Sequence, residues 1–175
     1  MNFVYEKTLT PRYEEDVRQL LYGADHEFVP PLSSRNDTTQ ASLLPGKASG
    51  QPPVSYFETM RHQSFLLAID NDRVVGFLSF IPAHTVQLQE TACLCSYVST
   101  IIVDPAYRGR ALTILLYQKL FEITQDPSVV TRTWSQNIAH LTILHRLGFA
   151  LVMTLPNDRG EGIDTVYYQK EITHA

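Results

Sequence analysis

The chain contains 175 residues, of which 44% are hydrophobic and 18% are charged, and these fractions exclude an intrinsically disordered or fibrous protein. The length suits one domain with its own core, so we expect a single domain over residues 1–175. The formal net charge of −4 disfavours nonspecific nucleic-acid binding, and no segment has the length of a membrane span or the pattern of a signal peptide, so we expect a cytoplasmic protein with neither nucleic acid nor membrane as a partner.

The first third of the chain predicts a strand, a helix and a long polar loop. Aromatic and β-branched residues predict a strand over residues 2–8. Thr10 and Pro11 then favour the start of a helix, because threonine can cap a first turn and proline suits its first position. Residues 29–53 are rich in Pro, Ser, Thr, Gly and Gln and show no sustained period, which predicts a long loop. Apolar residues at helical spacing predict a short helix over residues 54–62.

Three strands are predicted to follow as a meander. They span residues 64–69, residues 74–81 and residues 89–103, and the last is long enough to need a bend or an interruption. Pro82 is predicted to end the second of these strands, since proline cannot donate to a strand ladder. Gly76 within that strand indicates a bulge or a close contact.

The two cysteines of the chain, Cys93 and Cys95, alternate along the third of these strands. This spacing puts both side chains on one face, too far apart for a relaxed disulfide. With no second pair of ligands nearby in the sequence, they also make a poor metal site. We expect two buried thiols and no bound metal.

The second half of the chain alternates helices and strands. A helix begins near Leu112, a strand spans residues 129–134, and a second helix spans residues 137–147. Gly148 follows that helix at the position where a left-handed glycine commonly ends one. The final strands are predicted over residues 149–155 and residues 163–172. This order predicts a mixed α/β (α+β) fold, with helices on both faces of a central sheet.

The turn between the predicted fourth strand and the next helix is the most informative feature. The strand Ser96–Val103 leads through Asp104–Arg110 directly into the helix. Such a turn presents backbone amides without helical partners at the positive end of a helix dipole. We therefore expect a phosphate or a pyrophosphate to bind there.

Two sequence motifs resemble a known family. Val98 to Gly109 matches Val-x-x-Ile-x-Val-x-Pro-x-Tyr-Arg-Gly, and Asn137 to Phe149 forms a helix that ends in Leu-Gly-Phe. Together they resemble the GNAT superfamily of N-acetyltransferases, most specifically over residues 96–149. The resemblance implies one N-acetyltransferase domain with a mostly antiparallel sheet of six to seven strands.

The resemblance also implies how acetyl-coenzyme A (acetyl-CoA) binds. In the family, the loop after the fourth strand holds the pyrophosphate, and the fourth strand pairs with the pantetheine arm and supplies an amide to the thioester carbonyl. The corresponding residues here are Ile101, Ile102, Val103, Arg108, Gly109, Arg110, Ala111, Leu112 and Thr113. Asn137 matches the family asparagine that reaches toward the pantetheine.

The chain departs from the family pattern at three positions. Ala111 and Thr113 replace small residues of the phosphate loop, and the alanine is tolerable there if its φ stays negative. Leu144 replaces the tyrosine that commonly protonates the leaving thiolate. Since positions 137, 140 and 144 share one helical face, His140 is the candidate to take over this role.

The general base and the acceptor stay open. Candidates for the base are Asp25, His26, Glu27, His84 and Glu90. The polar segment 29–53 is a candidate lid over the acceptor. The resemblance implies transfer of an acetyl group to a primary amine of a small molecule or a peptide, by direct attack in a ternary complex. A homodimer is the common default for the oligomeric state. The alternative is an acyl-CoA-binding regulatory protein without turnover.

Overall fold

The computed structural model describes residues 1–43 and 50–174, and this part of the chain forms a seven-stranded sheet in the order β1-β2-β3-β4-β5-β7-β6. The strands are β1 (Asn2–Glu6), β2 (Ser64–Asp70), β3 (Arg73–Leu88), β4 (Thr91–Val103), β5 (Ser128–Trp134), β6 (Ala150–Leu155) and β7 (Thr165–Glu171). The helices are α1 (Pro11–Ala24), α2 (Val54–Met60), α3 (Leu112–Ile123) and α4 (Ile138–Arg146). The predicted segments are all present, and apart from the end of β3 their ends differ by a few residues.

The sheet is mostly antiparallel, as predicted. Within the described residues, β4 and β5 are the one parallel pair, and the helix α3 makes the crossover that a parallel connection requires. Every other neighbouring pair is antiparallel. The mixed α/β fold class expected from the sequence is confirmed.

Helices cover both faces of the sheet. On one face, α1 and α2 pack on β2 and β3 through a cluster that includes Val17, Phe57 and Phe77. On the other face, α3 and α4 pack through a cluster that includes Leu116 and Leu144. Burying apolar side chains on both faces is the main stabilising contribution to such a layered fold.

The predicted end of the third strand at Pro82 is wrong. The strand β3 continues to Leu88, and its register against β4 shifts between Ile81 and His84. This irregularity removes Pro82 from the ladder, so its missing N–H group is not needed there. Ala83 takes a positive φ of 51° in the same irregularity, and its N–H donates to Asp126 Oδ2 at 3.0 Å.

The bend expected in the fourth strand is confirmed and lies at Ser99. Ser79 pairs with Thr100 and Phe80 pairs with Val98, so Ser99 is an extra residue on β4. Such a bulge bends its strand and increases the local twist. The bend therefore changes the direction of β4 where it passes β5.

The long polar segment is described in part, because residues 44–49 lie outside the described residues. Short 3-10 turns form at Asp25–Glu27 and Leu32–Ser34, and Leu43 is buried. No helix of the described residues is both long and apolar enough to cross a membrane.

Candidate active site

A cleft opens between β4 and β5 because their pairing stops early. The parallel register links Ser96 with Val129, Tyr97 with Val130 and Val98 with Thr131, and no pair follows Val98. Ile101, Ile102 and Val103 pair with β3 on one side but have no β5 partner on the other. The bulge at Ser99 explains the divergence, since it turns β4 at this point.

Ile101, Ile102 and Val103 line this cleft, as the sequence predicted. Their side chains alternate between the two faces of the sheet: Ile102 packs toward α1 and α2, whereas Val103 packs toward α3. What these residues can offer a ligand is therefore backbone N–H and C=O groups along an open strand side.

The first turn of α3 has four backbone N–H groups without a partner among the described residues. The first helical bond runs from the N–H of Leu115 to the carbonyl of Ala111 at 3.0 Å, and no side chain caps the helix. The N–H groups of residues 111–114 are the ones left over. Ala111, Leu112, Thr113 and Ile114 all line the cleft, so these donors lie at its wall.

The turn before α3 depends on two residues with positive φ. Gly109 has a φ of 77°, which glycine adopts without steric penalty. Ala111 has a φ of 57°, so the condition under which an alanine would be tolerated here without strain, a negative φ, is not met. The physical reason is the direction of the chain: a left-handed residue immediately before α3 turns the loop into the helix axis. An alanine in this conformation is strained by about 1 kcal/mol.

The two arginines of the turn lie in different surroundings. Arg108 lines the cleft, where its guanidinium forms an ion pair with Glu27 at 2.8 Å and its Nε donates to the carbonyl of Val103 at 3.3 Å. Arg110 stacks over the ring of Tyr107 at 4.9 Å and does not line the cleft among the described residues. A role for Arg110 toward an anion stays a prediction.

Gly76 on β3 determines how closely α3 approaches the sheet. A Cβ atom at this position would lie 3.2 Å from Leu112 Cδ2 and 3.3 Å from the carbonyl oxygen of Ile102. The close contact expected for this glycine is therefore confirmed. Because Leu112 is the first residue of α3, this contact positions the helix start against the cleft.

The helix α4 forms the opposite wall with Asn137 and His140. Asn137 caps α4: its Oδ1 accepts from the N–H of His140 at 3.4 Å, and its Nδ2 donates to Thr133 Oγ1 at 2.9 Å. Both residues line the cleft, Asn137 as the family resemblance implied and His140 as its spacing from Asn137 predicted. Leu144, expected on the same face, is instead fully buried in the core between α4 and the sheet.

His140 is paired with a tyrosine that sequence reasoning missed. The hydroxyl of Tyr117 on α3 lies 3.0 Å from His140 Nε2, and the two rings are stacked with centroids 6.0 Å apart. Desolvation lowers the pKa of His140 to about 4, so the imidazole is neutral at pH 7. Burial also raises the pKa of Tyr117, which keeps its hydroxyl protonated.

The cleft has a volume of about 610 Å³, which is in the range of small-molecule sites. Several lining residues were not predicted from the sequence: Phe28, Arg35, Thr38, Arg132, Trp134 and Arg159. Arg132 had a usable signal, since a charged residue within an otherwise apolar and β-branched strand needs a reason to be there. The others lie on loops or strand ends without a motif.

Of the candidate general bases, Glu27 lines the cleft, and its carboxylate forms an ion pair with Arg108. Asp25 accepts hydrogen bonds from the N–H and the hydroxyl of Ser33 at 2.7 and 2.8 Å, which stabilises the loop after α1. His26, His84 and Glu90 are not among the lining residues of the described chain. The described residues contain no group of three or more potential metal ligands.

Comparison with known proteins agrees with this geometry. The acetyltransferase (GNAT) family model matches residues 34–149, which is more than half of the chain. No curated protein matches the chain.

Solved structures with the same fold cover nearly the whole chain. An aminoglycoside 6′-N-acetyltransferase from Enterococcus faecium superposes with a TM-score of 0.69 at 16% identity, covering 100% of this chain and 99% of that one. An aminoglycoside 6′-N-acetyltransferase complexed with coenzyme A superposes with a TM-score of 0.68 at 16% identity, with the same coverage of both chains. The yncA protein from Salmonella typhimurium is described as an acetyltransferase and was solved with its cofactor acetyl-CoA. It superposes with a TM-score of 0.64 at 16% identity, covering 100% of this chain and 96% of that one. With its matched family model and its cleft between β4 and β5, the chain belongs to the GNAT family of acetyltransferases.

Proposed function

We propose that this protein transfers an acetyl group from acetyl-CoA to a primary amine of a small molecule or a peptide, within a ternary complex. The observation that supports this most strongly is the cleft between β4 and β5, which leads to four N–H groups at the start of α3 that have no partner in the described part of the chain. Two of the structural neighbours were solved with acetyl-CoA or coenzyme A.

The residues of the cleft suit each part of acetyl-CoA. The N–H groups of residues 111–114, at the positive end of the α3 dipole, suit the pyrophosphate. The open side of β4 at residues 101–103 suits the amide groups of the pantetheine arm, which can pair with it as an added strand. Asn137 lies on the opposite wall, but both of its side-chain polar atoms have partners within the protein.

The reaction requires no covalent enzyme intermediate. The neutral amine nitrogen attacks the thioester carbonyl carbon, the carbon–sulfur bond breaks, an amide forms, and coenzyme A leaves as a thiolate that takes up a proton. The amine loses one proton in the same sequence. A β4 amide can stabilise the negative charge that develops on the carbonyl oxygen, and the remaining contribution comes from positioning.

His140 is the residue we propose for proton transfer at the sulfur. A neutral imidazole is a poor acid by itself, but a thiolate developing beside it favours its protonated form. The proton that reaches the sulfur is the one that the amine releases, passed on by His140, so the imidazole is unchanged at the end of the reaction. Tyr117, whose hydroxyl lies 3.0 Å from His140 Nε2 and stays protonated, holds the ring in place. This assignment keeps the proton-transfer role on α4, one turn before Leu144, with Tyr117 of α3 as the partner of the ring.

A regulatory protein that binds acyl-CoA without turnover is the second candidate. The observation that favours it is Leu144, which replaces the family tyrosine and is buried away from the cleft.

Release of free coenzyme A, measured with a thiol reagent, separates the two candidates. The purified protein is supplied with acetyl-CoA and a panel of polyamines, aminoglycosides, peptides and amino acids. We expect amine-dependent release for at least one class, with a mass increase of one acetyl group on the amine. Tight acetyl-CoA binding with no release across the panel would instead support the regulatory protein.

A further inference from the structure

Three arginines meet at one side of the cleft. Arg35 directly follows the 3-10 turn Leu32–Ser34, Arg132 lies on β5, and Arg159 lies in the loop between β6 and β7. All three line the cleft. Arg35 is 8% exposed and Arg159 is 3% exposed, whereas Arg132 is half-buried. They are close enough for mutual repulsion to contribute to their protonation equilibria.

Among residues 1–43 and 50–174, every hydrogen-bond partner of these guanidinium groups is neutral. Arg35 donates to the carbonyl of Pro30 at 2.9 and 3.2 Å. Arg132 donates to the carbonyl of Gln40 at 2.9 Å and to the hydroxyl of Tyr167 at 3.3 Å. Arg159 donates to the carbonyl of Val29 at 2.7 Å and to Thr165 Oγ1 at 2.9 Å.

The positive charge of the cluster has no paired carboxylate. Within the described residues no Asp or Glu oxygen lies within 4.0 Å of the three groups, and residues 44–49 contain neither Asp nor Glu. Asp25 and Asp158 interact with the cluster only through longer-range electrostatic attraction. Asp25 accepts hydrogen bonds from Ser33, and Asp158 accepts one from the hydroxyl of Thr165.

Leaving three such charges without a counter-ion is unfavourable. Burial lowers the pKa of Arg159 to about 9, so this group remains charged at pH 7, and burial also lowers the pKa of Arg35. Charged groups taken out of water are normally paired, because desolvation penalises an isolated ion strongly. The carbonyls of Pro30, Gln40 and Val29 could be satisfied by neutral donors, so holding the loop does not explain the charge.

The cluster lies on the opposite side of the sheet from the proposed acetyl-CoA contacts. Along β5, Val129 packs toward α3 and α4, whereas Val130 packs on Tyr97 and Tyr167. Strand alternation puts Arg132 on the same face as Val130. A thioester reached through the cleft from the α3 side would therefore meet an acceptor that enters from the arginine side.

We propose that the acceptor amine belongs to a molecule that also bears a carboxylate, as an amino acid does, and that Arg35, Arg132 and Arg159 bind this carboxylate. The inference deepens the proposed acetyl transfer and depends on it. A guanidinium fork matches a carboxylate in geometry, and such charge-assisted pairs are the strong class of hydrogen bond. The rings of Phe28 and Trp134, 6.0 Å apart, lie beside Arg35 and Arg159 and give the acceptor an apolar wall.

The first experiment compares matched acceptors on the wild-type protein. Coenzyme A release is measured with a series of L-amino acids and with the carboxamide of each, which keeps the amine and removes the negative charge. We expect kcat/KM to be at least tenfold higher for the carboxylates. Equal or higher values for the carboxamides would overturn the carboxylate site while leaving acetyl transfer intact.

The second experiment tests the residues. Arg132→Gln should raise the KM for the preferred amino acid at least tenfold and leave the KM for its carboxamide and the affinity for acetyl-CoA nearly unchanged. Arg12→Gln is the matched control, because Arg12 is exposed, lies outside the cleft and carries the same charge. Equal effects of the two substitutions on the carboxylate KM would contradict the proposal.

A binding measurement separates failure of the carboxylate site from failure of the transfer reaction. The complex with coenzyme A is titrated with N-acetyl amino acids and with their carboxamides, followed by protein NMR. Binding of the carboxylates at least tenfold tighter would support the anion site, and if no coenzyme A release were found with any amine, the anion site would stand while the transfer function would be contradicted. Equal affinity, or no binding of either series, would overturn the anion site.

Discussion

His140 and Tyr117 join α3 to α4 next to the cleft, and their pairing predicts a pH dependence of stability. Because desolvation lowers the folded-state pKa of His140 from 6.5 to about 4, the unfolded chain binds a proton at a higher pH than the folded chain does. The contribution of this group to stability is therefore fully present above pH 6.5 and is lost as the pH falls toward 4. The difference between 6.5 and 4 corresponds to about 3.4 kcal/mol, which is an upper bound because the side chain is half-buried and partly screened by water.

Chemical denaturation of the wild type and of His140→Gln between pH 4 and pH 8 measures this effect. We expect the wild type to lose more stability than the variant as the pH decreases through this window. His84, whose pKa burial also lowers, remains in both proteins and cancels in the comparison. Parallel stability curves for the two proteins would show that His140 is not desolvated in the folded state.

The substitution His140→Gln should also lower kcat and leave the acetyl-CoA affinity nearly unchanged.

Single residues divide clearly into those predictable from sequence and those not. Asn137 was predictable from the family resemblance, and His140 followed because helical periodicity puts it on the same face as Asn137. The positive φ of Ala111 was not, since nothing in the local sequence distinguishes a left-handed alanine from a right-handed one. The pairing of Tyr117 with His140 depends on how α3 and α4 pack, which a local pattern does not encode.

At the scale of elements, the contact between β3 and α3 predicts the effect of a small substitution. Gly76→Ala adds a Cβ atom at 3.2 Å from Leu112 Cδ2 and 3.3 Å from the carbonyl of Ile102, so the start of α3 or the strand must move by a few tenths of an ångström. We expect a loss of about 1 kcal/mol in unfolding free energy, or about 2–4 °C in Tm, with weaker acetyl-CoA binding.

Gly23→Ala is the control for this substitution. Gly23 lies in α1 and has nothing within 4 Å of its added Cβ. Alanine should therefore stabilise the helix by about 0.5–1 kcal/mol without changing acetyl-CoA binding. Unchanged stability and unchanged acetyl-CoA affinity in Gly76→Ala would show that this contact does not position α3.

Element order was more predictable than element ends. Periodicity and turn residues predicted the strands and helices in the right order, and the length of the fourth strand predicted its bend. The bulge at Ser99 could not be located, because it depends on the register between β3 and β4. The continuation of β3 through Pro82 was missed for the same reason: an irregular register tolerates proline where a regular ladder does not.

At the scale of the whole molecule, the divergence of β4 from β5 creates one opening with different chemistry on its two sides. The α3 side has unpartnered N–H groups at a helix start, and the opposite side has three arginines without carboxylate partners among the described residues. The first side was predictable because its turn has a motif. The second was not, because Arg35, Arg132 and Arg159 are far apart in sequence and meet only through the topology of the sheet.

Calorimetric titration of the wild-type protein with acetyl-CoA and with S-acetylpantetheine tests the central claim most directly. The two ligands share the thioester and the pantetheine arm, but S-acetylpantetheine lacks the pyrophosphate and the nucleotide. We expect acetyl-CoA to bind one site at least a hundredfold more tightly, and Gly109→Pro to remove most of that difference, because proline cannot adopt a φ of 77°. Equal affinities for the two ligands, or no saturable binding of acetyl-CoA, would contradict a pyrophosphate site at the start of α3.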